Sequence, residues 1–85
     1  MNYTVYILES VQSGHFYKGY TSDIEKRLWE HNNGLSRYTR NKGPWKLVFE
    51  KKFENKSEAL LFEKRIKRFN SNSLQNLINS YYQDK

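Results

Sequence analysis

The sequence predicts an α+β domain with the element order β-β-α-β-α-α. Three observations carry this. Residues 3–10 and 15–20 are runs of β-branched and aromatic residues on either side of a glycine-bearing turn. A third such run covers 45–53. Between and after these runs, apolar residues recur at helical spacing over 23–33, 57–69 and 73–82.

At 85 residues the chain reads as one domain, 1–85. A chain of this size buries only roughly 60–65% of its unfolded surface, so its core is small. Apolar residues make up 36% and aromatic residues 16%, so rings must do much of the filling. There is no cysteine, which excludes disulfides, thiolate zinc sites and a cysteine nucleophile. Two histidines, His15 and His31, are too few for a histidine-rich metal site. No apolar run reaches the ~18 residues of a membrane span, and the N-terminus lacks a signal-peptide pattern. The expectation is a cytoplasmic protein with no membrane partner. The net charge of +6 favours a polyanionic partner over a merely solvated basic surface.

The first strand, YTVYILES, carries bulk on both faces: Val5 and Ile7 on one, Thr4, Tyr6 and Leu8 on the other. That predicts a central strand covered on both sides. Gly14 belongs to the turn. Gly19 within the return strand HFYKGY signals a bulge or a close backbone approach. Ser22 followed by Glu25 has capping-box spacing and predicts a helix start. Ile24, Leu28, His31 and Leu35 form one stripe, with Gly34 at the helix end. Residues 36–43 form a polar loop with Arg37, Tyr38, Arg40 and Lys42 and no acid. Pro44 closes it and the third strand follows. The second helix shows Ala59, Phe62, Ile66 and Phe69 as its apolar face. Residues 70–73 are expected to break it. Leu74, Leu77, Ile78 and Tyr81 mark the third helix, and the tail from residue 83 is expected to fray.

Glu63 is the informative anomaly. On a helical projection it falls between Ala59 and Leu60, inside the apolar arc. Acids are seldom buried unless paired or bound to metal. Either it pairs with Lys64, Lys67 or Arg27, or it has a task. Arg27 and His31, one turn apart, suit phosphate chemistry: a guanidinium holds phosphate bidentately and an imidazole moves protons near neutral pH. Tyr6 and Tyr17 read equally well as packing. As bases they start from a phenol pKa near ~10, which a neighbouring cation would have to lower.

Taken together, Val5-Tyr6-Ile7-Leu8, Tyr17, Gly19, Thr21, Asp23, Arg27-Leu28, His31-Asn32, Gly34, Tyr38-Thr39-Arg40, Pro44, Leu47-Val48, Ser57-Glu58-Ala59-Leu60, Glu63 and Ile66-Lys67 resemble the GIY-YIG nuclease superfamily. The likeness covers nearly the whole chain and is strongest to the small standalone bacterial proteins. The glycine of the first triplet is Thr4 here, and the middle residue of the second is Lys18. Tyr20 stands where some members have a lysine that helps activate a phenol.

The resemblance implies a three-stranded antiparallel sheet flanked by helices, with Tyr6, Tyr17, Arg27, His31 and Glu63 converging on one concave face and Gly19 structural beside them. It implies a nuclease that hydrolyses DNA phosphodiesters, with DNA repair or recombination as the expected setting. Glu63 would hold one Mg²⁺ or Mn²⁺. Arg27 would stabilise charge on the scissile phosphate. Tyr6, or failing it Tyr17, would be the general base. His31 would shuttle a proton or orient a tyrosine. Arg37, Tyr38, Arg40, Lys42, Lys64, Lys67 and Arg68 would grip the nucleic acid. DNA is the expected partner, with RNA an open alternative, and the chain is expected to act as a monomer or weak dimer. The competing reading is a non-catalytic or weakly catalytic nucleic-acid-binding module of the same fold.

Overall fold

The computed structural model describes residues 2–83. Met1 and residues 84 and 85 lie outside the described residues, and with them most of the tail expected to fray; residue 83 itself closes the last helix. The elements are β1 (Tyr3–Ser10), β2 (Phe16–Thr21), α1 (Ile24–Asn32), β3 (Trp45–Phe53), α2 (Lys56–Lys67) and α3 (Ser71–Gln83). The strands form one antiparallel sheet in the order β2-β1-β3. The expected fold class and element order are those observed.

β1 is central, and Val5, Tyr6, Ile7 and Leu8 are all buried. The two-residue period splits them between two layers. Val5 and Ile7 pack with Val48, Phe49, Ala59, Ile66, Leu74 and Ile78, beneath α2 and α3. Tyr6 and Leu8 pack with Trp45, Tyr17, Ile24, Leu28 and Leu47, on the side that α1 covers. The register between β1 and β3 shifts between Ile7 and Leu8, which pair with Phe49 and Leu47 and leave Val48 as the extra residue of a bulge.

Three local expectations need correction. Asp23, not Ser22, caps α1: its side chain accepts from Lys26 N at 3.1 Å. Thr21 Oγ1 accepts from Asp23 N at 3.1 Å, holding the turn one residue later than the capping-box spacing suggests. Leu35 is not part of the helical stripe and is 60% exposed. The helix stops at Asn32, and Gly34 at φ +75° lets Leu35 N reach back to Glu30 O at 3.0 Å, a Schellman-type end that turns residue 35 off the helix axis. Finally, the break after α2 is shorter than residues 70–73. Asn70 caps α3 by accepting from Ser73 N at 2.9 Å, so residues 71–73 are already helical. Phe69 still packs on the core, from the connection rather than from α2.

Candidate active site

Tyr6 projects from the central strand directly opposite Gly19 of β2. A Cβ at position 19 would sit 2.7 Å from Tyr6 Oη and 2.9 Å from Cζ. The phenol therefore lies across the β2 backbone, and only a residue without a side chain allows it. Tyr17, two residues before Gly19, shares this face, and its ring centroid is 6.3 Å from that of Tyr6. α1 crosses above, and its spacing of four brings Arg27 and His31 down on the tyrosines. The His31 ring lies 4.8 Å from Tyr17 and 5.9 Å from Tyr6.

The polar contacts are few and dry. Tyr6 Oη is 2.9 Å from His31 Nε2, and His31 Nδ1 is 2.8 Å from Thr39 Oγ1. Tyr6, His31 and Thr39 are 1%, 2% and 1% exposed. Burial pushes the Tyr6 phenol up to about 12, against the pull of the neighbouring Arg27 guanidinium, which favours the phenolate. Burial, helped by the Arg27 charge, pulls His31 down to about 4, so the imidazole is neutral at pH 7. Arg27 Nη1 donates to Glu30 Oε1 at 3.2 Å. Burial acts against its charge, but Tyr6 and Glu30 outweigh that and hold it above the usual arginine range.

Glu63 comes from the other layer. It shares the buried stripe of α2 with Ala59 and Ile66 and is 9% exposed. Of the pairings open at the sequence level, the structure contains the one with Lys67, whose Nζ lies 3.5 Å from Oε1. The Glu63 charge is felt at Tyr6, where it opposes ionisation of the phenol. Four of the five expected residues thus touch one another or lie side by side, while the Glu63 carboxylate is held by Lys67 on the other layer. Among the described residues no group of three or more histidine, aspartate or glutamate side chains gathers as a metal site. Tyr20 packs with the Val5 layer, so the position after the second triplet does not face the tyrosine cluster.

The expected nucleic-acid residues form two surfaces. Arg37, Tyr38, Arg40 and Lys42 are exposed on the loop that carries Thr39, with Tyr38 at 72%. This loop is tied down. Trp45 Nε1 donates to Thr39 O at 3.1 Å, Ser10 Oγ to Lys42 O at 2.7 Å, and Arg40 Nε to Gly34 O at 3.1 Å. Lys64, Lys67 and Arg68 line an open groove on α2 together with Leu61 and Arg65. Arg65 is a fourth cation there that the sequence reading passed over, although its spacing of three from Arg68 makes the two neighbours on the helix. Thr39 was also passed over as a site residue. It lies in an irregular loop, where periodicity says nothing about which side chain turns inward.

Comparison with known proteins agrees with this architecture. The model of the GIY-YIG catalytic domain matches residues 2–79. A UPF0213 protein of Clostridium perfringens, CPE1444, is 47% identical over 81 residues, covering 94% of this chain and 85% of that one. UPF0213 protein BH0048 of Halalkalibacterium halodurans is 38% identical over 79 residues, covering 92% and 83%. The solution NMR structure of BH0048 superposes with a TM-score of 0.62 over 93% of this chain and 84% of that one. The chain therefore belongs to the GIY-YIG family and, within it, stands with the small UPF0213 proteins.

Proposed function

We propose that the chain is a divalent-metal-dependent nuclease that hydrolyses DNA phosphodiester bonds. The observation that carries this reading is the meeting of Tyr6, Tyr17, Arg27 and His31, from β1, β2 and α1, on a domain of net charge +6. Two phenols, a guanidinium and a neutral imidazole are more polar groups than the small α1-side core needs.

The donor set suits a hard cation. One carboxylate, with phosphate oxygens and water completing the shell, is how Mg²⁺ or Mn²⁺ is held, whereas a protein-only cage would need more ligands than Glu63. Glu63 would hold the ion once Lys67 releases its carboxylate. A bound ion would supply Lewis-acid polarisation of the phosphate and stabilise the leaving oxygen. The chain's own residues do the rest. Arg27 turns from the Tyr6 hydroxyl to the non-bridging oxygens of the scissile phosphate, which uncovers Tyr6. The attacking water gives a proton to Tyr6 Oη, which passes its own to His31 Nε2, as the water oxygen bonds to phosphorus; the bridging P–O bond breaks and the leaving oxygen takes a proton from solvent. Tyr17, the less buried phenol, orients water or phosphate. Arg37, Arg40 and Lys42 on the loop, and Lys64, Arg65, Lys67 and Arg68 on α2, hold the backbone as point charges. Such an activity suits DNA repair or recombination in the cytoplasm.

The test is cleavage of labelled duplex, branched and single-stranded DNA with Mg²⁺ or Mn²⁺, wild type against Glu63→Ala. Loss of at least about a hundredfold in rate is expected, the scale of removing one transition-state charge partner. Equal cutting by the two proteins would sink the assignment. Binding by both with cutting by neither would favour the non-catalytic module.

A further inference from the structure

Tyr6, His31 and Thr39 form a buried line in which one imidazole stands between two hydroxyls, at 2.9 Å and 2.8 Å. A neutral imidazole has one N–H and one bare nitrogen, so only one of the two hydroxyls can donate to it. The other must accept. The two tautomers free a different hydroxyl proton, that of Thr39 or that of Tyr6, so the stronger donor decides which hydroxyl takes the bare nitrogen.

We infer that Thr39 is a positioning residue: its hydroxyl oxygen accepts the Nδ1 proton of His31 and leaves Nε2 as the acceptor facing the Tyr6 hydroxyl. A phenol is far more acidic than an alkyl alcohol and is the stronger donor to a bare nitrogen. The Arg27 guanidinium beside Tyr6 strengthens that further. Thr39 has the anchorage this task requires. Its carbonyl accepts from Trp45 Nε1 at 3.1 Å, its N–H donates to Ser36 O at 3.3 Å, and Ser10 fastens the same loop at Lys42 O. The neutral state of His31 agrees with this arrangement.

This assignment rests on the nuclease reading for its consequence. With the Tyr6 proton committed to His31, the lone pairs of Oη face Arg27 and the incoming phosphate. When water gives its proton to Oη, the proton already on Oη passes to Nε2, and His31 carries the extra charge with Nδ1–H still held by Thr39. The water oxygen bonds to phosphorus, the leaving oxygen departs and takes a proton from solvent, and His31 returns its proton to solvent. Tyr6 need not ionise beforehand. Because Thr39 lies between Tyr38 and Arg40, a loop with exposed cations also carries the group that sets the imidazole.

The experiment is a long-range ¹H–¹⁵N correlation spectrum of His31 in wild type, Thr39→Val and Thr39→Ser, paired with cleavage rates. Wild type and Thr39→Ser are expected to carry the proton on Nδ1. In Thr39→Val it moves to Nε2, because the Tyr6 hydroxyl can rotate to accept from Nε2–H, whereas Nδ1–H is fixed in the ring and would face a methyl group. Cleavage at saturating DNA falls by about 10–100-fold in Thr39→Val, the range found for groups that orient a functional histidine, with the half-saturating concentration unchanged. Thr39→Ser restores it. A wild-type proton on Nε2 would overturn the proposal, and so would Thr39→Val keeping Nδ1–H. Equal loss in both variants would reduce Thr39 to packing. The wild-type spectrum needs neither a variant nor cleavage, so it tests the positioning claim even if the nuclease assignment fails.

Discussion

The two faces of β1 are built on opposite principles. Val5 and Ile7 enter a layer closed by α2 and α3, in which eight buried apolar residues meet and Glu63, on the same stripe of α2 as Ala59 and Ile66, is the buried acid. Tyr6 and Leu8 enter a smaller layer under α1, in which Trp45 is the third buried ring or aliphatic residue and the His31 imidazole and Thr39 hydroxyl are sealed in beside the Tyr6 phenol. The first layer stabilises by area, which is non-directional and tolerates rearrangement. The second stabilises only while each donor keeps its acceptor, since losing one partner leaves another stranded. One strand thus serves as scaffold on its odd-numbered residues and as site on Tyr6. In a domain this small the candidate site cannot be a late addition to a finished core, because Tyr6 is itself one of the buried core residues.

The largest effect that would test this division is on the apolar face. Ile66 is fully buried in the α2–α3 layer. Ile66→Ala should cost about 2–5 kcal/mol by urea denaturation, the range for truncating a buried aliphatic residue. That is a large share of the roughly 4–13 kcal/mol available to a domain of this length. The Tyr6–His31–Thr39 line should survive, so cleavage per folded molecule at low temperature should match wild type. A matching loss of cleavage in fully folded protein would show that the two layers are not separable.

The polar face makes a prediction of similar size but with a pH signature. His31 sits at about 4 in the folded chain, against an ordinary 6.5. The unfolded chain therefore binds more protons between those values, and stability rises with pH across that window. The contribution is fully present above about 6.5, falls away as pH drops toward about 4, and amounts to roughly 3 kcal/mol. Carboxylates titrate in part of the same range, so the comparison is with His31→Gln. Wild type should lose roughly 3 kcal/mol more than the variant on going from neutral pH to about pH 4. Parallel curves would mean that the imidazole is not held neutral by its surroundings.

This division also explains what could be read beforehand. The apolar layer was legible because periodicity reports it: Val5 and Ile7 at spacing two, Ala59 and Ile66 along a helix. Glu63 was legible for the same reason, as an acid interrupting that pattern. The polar layer was legible only where its residues lie on regular elements, as Tyr6, Tyr17, Arg27 and His31 do. Thr39 was not, because a loop has no period, and the bonds that fix this one, from Trp45 to Thr39 O and from the distant Ser10 to Lys42 O, leave no pattern in the sequence. The α1 cap moved by one residue for a related reason. Ser22 and Asp23 are both good caps, and the Thr21 side chain, through its bonds to the Asp23 backbone, decides between them.

The smallest effect sharpens the comparison most, because it adds atoms to the polar face without removing any. In Gly19→Ala the new methyl would stand 2.7 Å from Tyr6 Oη and 3.3 Å from Tyr17 Cε2. Overpacking of this kind costs about 1–3 kcal/mol. The backbone cannot retreat easily, because Gly19 is paired with Tyr6 in the middle of the β1–β2 ladder. The phenol must therefore move, and with it the 2.9 Å contact to His31. Displacement of a catalytic group by about 1 Å can cost on the order of a hundredfold in rate. Gly19→Ala should thus lose about 1–3 kcal/mol, less than Ile66→Ala, while cutting far more slowly, the reverse of Ile66→Ala in its effect on the site. The two variants form a cross-over: one spends stability and keeps the site, the other keeps more of the stability and displaces Tyr6. If Gly19→Ala cuts at the wild-type rate, the Tyr6–His31 contact is not what the reaction depends on, and the polar face would be packing after all.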